Sequence, residues 1–122
     1  MAMIKLLDTN IVLYYLGGKL SQSLSNDDYH ISVITEIELL SYPHLDKKAE
    51  KQIKDFLTEL TIVNINPQIK ELTIDLKRKF SIKLPDAVIG ATALVLQAEL
   101  LTNDKRFFQL PKINCKQLSL KD

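Results

Sequence analysis

Four carboxylates sit where a folding argument would not put them. Asp8, Glu38, Asp86 and Asp104 each interrupt or abut a strongly apolar segment. Asp8 ends Ile4-Lys5-Leu6-Leu7, Glu38 lies inside Ile34 to Leu40, Asp86 opens Ala87-Val88-Ile89-Gly90-Ala91, and Asp104 follows Leu100-Leu101-Thr102-Asn103. Carboxylates beside a core are costly unless they are paired, hydrogen-bonded or bound to metal. Brought together they would raise one another's pKa, and a divalent cation would neutralise them. Oxygen ligands with no His or Cys nearby favour a hard ion, Mg²⁺ or Mn²⁺, over zinc.

Each acid taken alone also has an explanation that involves no chemistry. Thr35-Glu36-Ile37-Glu38 has the spacing of a capping box, in which Glu38 reaches back to the Thr35 amide. Asp86 follows Pro85, where a helix dipole favours an acid; Asp8 and Asp104 can cap helices beginning near Asn10 and Lys105. Capping does not explain why all four would gather at one end of a sheet.

That gathering follows from the elements. Ile4 to Leu7 reads as a strand, and Asn10 to Leu16 as a helix stopped by Gly17-Gly18. Tyr29 to Ile34 is a second strand, rich in β-branched residues, and Thr35 to Ser41 a helix ending before Pro43. Asp46 to Leu60 carries Ala49, Ile53, Phe56, Leu57 and Leu60 at helical spacing, with Lys47, Lys48, Lys51 and Lys54 on its other faces. Thr61 to Ile65 is a third strand. Pro67 starts a helix whose apolar positions are Ile69, Leu72, Ile74, Leu76 and Phe80, with Lys70, Lys77, Arg78 and Lys79 toward solvent. A helix from Pro85 to about Ala98 precedes strands at Glu99 to Thr102 and Asn114 to Leu120. The alternation predicts an α/β three-layer sandwich with a mainly parallel central sheet of about five strands flanked by helices. In such sheets ligands bind beyond the carboxyl ends of the strands where the winding reverses.

Bulk properties narrow the function further. With 122 residues, 46% hydrophobic and 25% charged, the chain suits one domain over 1–122 with a core that needs no disulfide. A net charge of +1 advertises no nucleic-acid or membrane partner by global field, so any basic patch is local. The single Cys115 forms no intrachain disulfide and is expected as a small core residue, in keeping with a reducing cytoplasm. Ala87 to Ala98 is too short to span a bilayer, which takes about 20 apolar residues. Met1-Ala2-Met3 carries no functional signal and no signal segment. His30 and His44 are expected at the surface or a strand edge, and one of each aromatic pair, Tyr14/Tyr15 and Phe107/Phe108, in the core.

The residues around the acids resemble the motifs of PIN-domain ribonucleases, in particular the small VapC-type toxins of toxin-antitoxin pairs. Leu7-Asp8-Thr9-Asn10 is similar to the first motif, and Ser32-Val33-Ile34-Thr35 with Glu38-Leu39-Leu40 to the second. Leu84-Pro85-Asp86-Ala87-Val88-Ile89-Gly90-Ala91-Thr92-Ala93 is similar to the third, and Leu101-Thr102-Asn103-Asp104-Lys105-Arg106-Phe107 to the fourth. Glu36 competes for the second position, but the spacing to Leu39-Leu40 favours Glu38. The resemblance implies metal-dependent endoribonuclease activity on RNA, a homodimer and a cognate protein antitoxin covering the acidic groove. It assigns Asp8, Asp86 and Asp104 to one or two Mg²⁺ or Mn²⁺ ions, with Glu38 orienting water or holding a second ion. Thr9, Asn10 and Thr102 become supporting hydrogen-bond partners, or simple turn and cap residues. Lys105 and Arg106 become phosphate contacts, or an exposed solubilising pair. Receiver-like signalling domains also gather carboxylates at strand ends, but the third strand here runs into Asn66-Pro67 with no acceptor aspartate.

Overall fold

The computed structural model describes residues 3–122; Met1 and Ala2 lie outside the described residues. Strands β1 (Ile4–Leu7), β2 (Asp28–Ser32), β3 (Thr61–Val63), β4 (Glu99–Leu101) and β5 (Asn114–Lys116) form one sheet in the order β3-β2-β1-β4-β5, every pairing parallel. Helices α1 (Thr9–Leu16), α2 (Val33–Leu40), α3 (Lys47–Leu57), α4 (Pro67–Lys79), α5 (Leu84–Leu96) and α6 (Lys105–Phe108) connect them. The chain winds outward from β1 through β2 to β3, then crosses to the other side of β1 for β4 and β5. The reversal therefore falls between β1 and β4, where an open α/β sheet parts its loops and leaves a crevice. The β3-β2-β1-β4-β5 order also differs from the receiver winding, in which the first strand lies between the second and the third.

Strand alternation sorts the core onto two faces. Leu7, Ile31 and Leu101 pack with Ile11 and Val12 of α1, Leu39 of α2 and Ile53, Phe56 and Leu57 of α3. Leu6 and Leu100 point the other way, against Ile89 and Ala93 of α5 and Phe107 of α6. Helix α4 forms an outer layer, setting Ile69 and Leu76 against Ala87 and Ala91. A Cβ on Gly90 would stand 3.2 Å from Ile113 Cδ1, so the small-residue run on α5 matches the closeness of its neighbours.

Several sequence expectations need correction. Val33 and Ile34 lie in α2, not β2, because Ser32 caps the helix: its side chain accepts from the Ile34 amide at 3.1 Å. Strand β3 stops at Val63, β5 at Lys116, and α3 at Leu57. Leu120 instead makes an isolated antiparallel bridge to Leu20. Ile74, expected on the buried side of α4, is exposed. His30 is buried, because β2 lies inside the sheet between β3 and β1; His44 is exposed as expected. Of the aromatic pairs, Phe107 is buried and Phe108 exposed, while Tyr14 packs on the core and Tyr15 lies over Phe56. Cys115 is partly buried beside the α5 cluster. Among the described residues no helix is long and apolar enough to cross a membrane.

Candidate active site

Asp8 follows β1 directly and caps α1, accepting from the Ile11 amide at 2.8 Å. Its second carboxylate oxygen accepts from Thr102 Oγ1, just past the end of β4. The Thr102 hydroxyl oxygen in turn accepts from the Asp104 amide at 3.0 Å. One fully buried threonine thus couples the two acids on either side of the winding reversal. Asp8 is only 4% exposed, and burial lifts its carboxyl above the usual range. The Thr102 and Ile11 hydrogen bonds oppose that rise, while the charges of Asp104 and Asp86 add to it.

Glu38 projects from α2 and accepts from Thr9 Oγ1 at 2.7 Å. Its capping-box explanation fails: the cap is Ser32, and Thr35 is a buried residue inside the helix rather than its first cap. Glu36 takes the place in the first turn where the helix dipole favours an acid. Asp86 sits in the first turn of α5, half-buried, and burial is the main cause of its raised pKa. Arg106 counters that rise, whereas Asp104 and Glu38 reinforce it. Asp104 caps α6 and, unlike Asp8 and Asp86, is held below the usual range by its hydrogen bonds from Arg106.

All four acids line one open cleft of about 210 Å³, together with Thr9, Asn10, Tyr42, Lys83, Ile89 and Arg106. A larger cleft of about 330 Å³ between the Ser21–Ser25 loop and the Lys116–Ser119 segment contains none of them. Convergent chemistry, not size, singles out the acidic one. Capping and convergence coexist here: Asp8 and Asp104 do both. Of the supporting residues, Thr9 and Thr102 hold acids, whereas Asn10 is an exposed wall residue. Lys105 is exposed and is not part of the cleft wall.

Arg106, expected as a phosphate contact or an exposed solubilising residue, is half exposed and also engaged with the acids. Its guanidinium grips Asp104, with Nε 3.0 and 3.2 Å from the two oxygens and Nη2 2.6 Å from Oδ2, and reaches to 3.5 Å from Asp86. Lys83 and Tyr42, which motif reasoning passed over, also face the cleft. Lys83 holds the cap position of α5 without making a side-chain cap, and its charge favours ionised Asp86. Its place three residues before Asp86 was a usable signal; Tyr42, beyond the end of α2, gave none.

The donor set suits a hard divalent ion. It is all oxygen, supplied by Asp8, Glu38, Asp86 and Asp104 on one cleft. Among the described residues, no three His, Cys, Asp or Glu side chains close to a coordination shell by themselves.

The model of the PIN domain family matches residues 5–113. No curated protein matches the chain significantly. Among solved structures, the chain is similar to a toxin-antitoxin complex from Klebsiella pneumoniae at 29% identity, TM-score 0.70, covering 89% of this chain and 94% of that one. A second is VapBC-1 from nontypeable Haemophilus influenzae, at 27% identity, TM-score 0.72 and coverage of 94% and 98%. VapBC2 from Rickettsia felis, bound to a promoter DNA fragment, shares the fold with TM-score 0.78 at 24% identity, covering 96% of this chain and 100% of that one. The chain belongs to the PIN-domain family, a family of nucleases.

Proposed function

We propose that this PIN domain is a divalent-metal-dependent endoribonuclease, the toxin of a toxin-antitoxin pair. The observation that carries the reading is the meeting of Asp8, Glu38, Asp86 and Asp104, from four separate parts of the chain, on one cleft at the winding reversal. Asp8, Asp86 and Asp104 would hold Mg²⁺ or Mn²⁺. When bound, such an ion offsets charge on the phosphoryl oxygens and makes water a better nucleophile at neutral pH.

The remaining steps belong to side chains of this chain. Glu38, fixed by Thr9, orients the attacking water. Thr102 holds Asp8 in the rotamer that faces the cleft, a support that metal-site carboxylates need. Lys83, on the cleft wall, supplies positive charge for an RNA phosphate. Tyr42, exposed at the rim, offers a ring on which an unpaired base can stack. Water attacks phosphorus, and the bond to the leaving ribose oxygen breaks.

Residues 1–122 act in this reading as one catalytic domain in the cytoplasm, working as a homodimer. A protein antitoxin covers the cleft. The similar structures support a protein antitoxin as partner, since two are toxin-antitoxin or VapBC complexes above 25% identity. Induced expression without a partner, followed by mapping of RNA 5′ ends, tests the proposal. Growth arrest and new RNA ends are expected with wild type and neither with Asp8→Asn; identical end maps would sink it.

A further inference from the structure

The guanidinium of Arg106 lies across two of the four acids. It meets both oxygens of Asp104 and comes within 3.5 Å of Asp86 Oδ2, although these acids come from different elements. Asp104 and Asp86 are the acids it touches, and its side chain is 52% exposed. An ion entering between Asp86 and Asp104 would compete with the guanidinium for the Asp104 oxygens it hydrogen-bonds and for the charge of Asp86 beside it.

Resting on the reading of these acids as metal ligands, we infer that Arg106 is an internal counter-cation that a divalent ion displaces. In the metal-free protein it relieves the repulsion between Asp86 and Asp104 and keeps their carboxylates turned to the cleft. Exchange is feasible because the Arg106 side chain is half exposed, so solvent screens a pair that its bidentate geometry otherwise strengthens. The displaced guanidinium stays at the cleft mouth, where its planar fork matches a phosphate. Arg106 is thus a positioning residue that couples metal loading to substrate binding.

Two measurements test this. Calorimetric titration of the purified protein with MnCl₂ should show Arg106→Gln binding roughly three- to ten-fold more tightly than wild type, while its KM for RNA rises at saturating Mn²⁺. Equal or weaker Mn²⁺ binding by a folded Arg106→Gln overturns the inference. In wild type, Mg²⁺ should move the Arg106 Nε–H resonance in ¹H–¹⁵N spectra, and an unmoved resonance while the Asp8 and Asp86 amides shift also overturns it. If Asp86→Asn leaves Mn²⁺ affinity unchanged, the metal reading itself falls instead.

Discussion

Replacing Thr102 by Val should destabilise the protein sharply and in a pH-dependent way. The substitution is nearly isosteric at a position with no exposure, so packing changes little. It removes the hydrogen bond donated to the buried Asp8 carboxylate and the acceptor for the Asp104 amide. A bond to a charged group contributes about 1.5–3 kcal/mol and a neutral one about 0.5–1.5 kcal/mol. The methyl that replaces the hydroxyl recovers about 0.8 kcal/mol. The net loss near neutral pH is about 2–3 kcal/mol, which moves a urea midpoint by roughly 1–1.5 M for a slope of ~2 kcal/mol/M. Asp8 titrates above its ordinary value in the folded protein. As pH falls through that range the neutral carboxyl asks less of its donor, and the gap between Thr102→Val and wild type narrows. Thr102→Ser keeps both bonds and should cost only about 1 kcal/mol. Urea unfolding of the three proteins at neutral and mildly acidic pH decides the matter. A Thr102→Val loss under about 0.5 kcal/mol, or one equal at both pH values, would refute the coupling of Asp8 to Asp104 through this hydroxyl.

Asp8→Asn keeps an acceptable cap on α1 while removing a buried charge, so metal-free stability should hold or rise as activity disappears; thermal melts and RNA cleavage separate the two effects. Because the folded pKa values of Asp8 and Asp86 are raised, the folded state binds protons that the unfolded chain has released. Their contribution therefore stabilises the metal-free protein as pH falls from neutral toward the ordinary carboxylate range, with Asp104 acting in the opposite sense. Mg²⁺ at about 100 times its Kd should add ~2.7 kcal/mol at neutral pH and less in acid, read from melting curves with and without chelator. Gly90→Val puts a branched side chain against Ile113, Leu110 and Leu76, and should cost about 1–3 kcal/mol in chemical unfolding without altering metal affinity.

Much of the fold was legible because hydrophobic periodicity and punctuation agreed. Strand β1 runs over Ile4–Leu7 as expected, and Pro67 and Pro85 mark the first turns of α4 and α5. Misreadings arose where a local preference lost to tertiary context. Val33 and Ile34 have strand propensity, yet the Ser32 cap draws them into α2. His30 looked like an edge residue only because strand order, which buries β2, is a non-local property. At the site, the acids could be named from their motifs, but Glu38 could not be separated from a capping box until the true cap was known. The linear sequence offers Arg106 only as a phosphate contact or a solubilising residue, since nothing linear says that Asp86 lies across from it. Tyr42 comes to the cleft through folding alone, whereas Lys83 is carried there by its place three residues before Asp86.

The central claim is that four acids form one divalent-metal site that cuts RNA. Its most direct test is RNA cleavage by the purified chain during a Mn²⁺ titration, with Asp86→Asn run in parallel. The account predicts cleavage that rises and saturates with Mn²⁺, stops on chelation, and falls by at least about 100-fold in the variant. Cleavage that persists in chelator, or that is equal in Asp86→Asn, would contradict it.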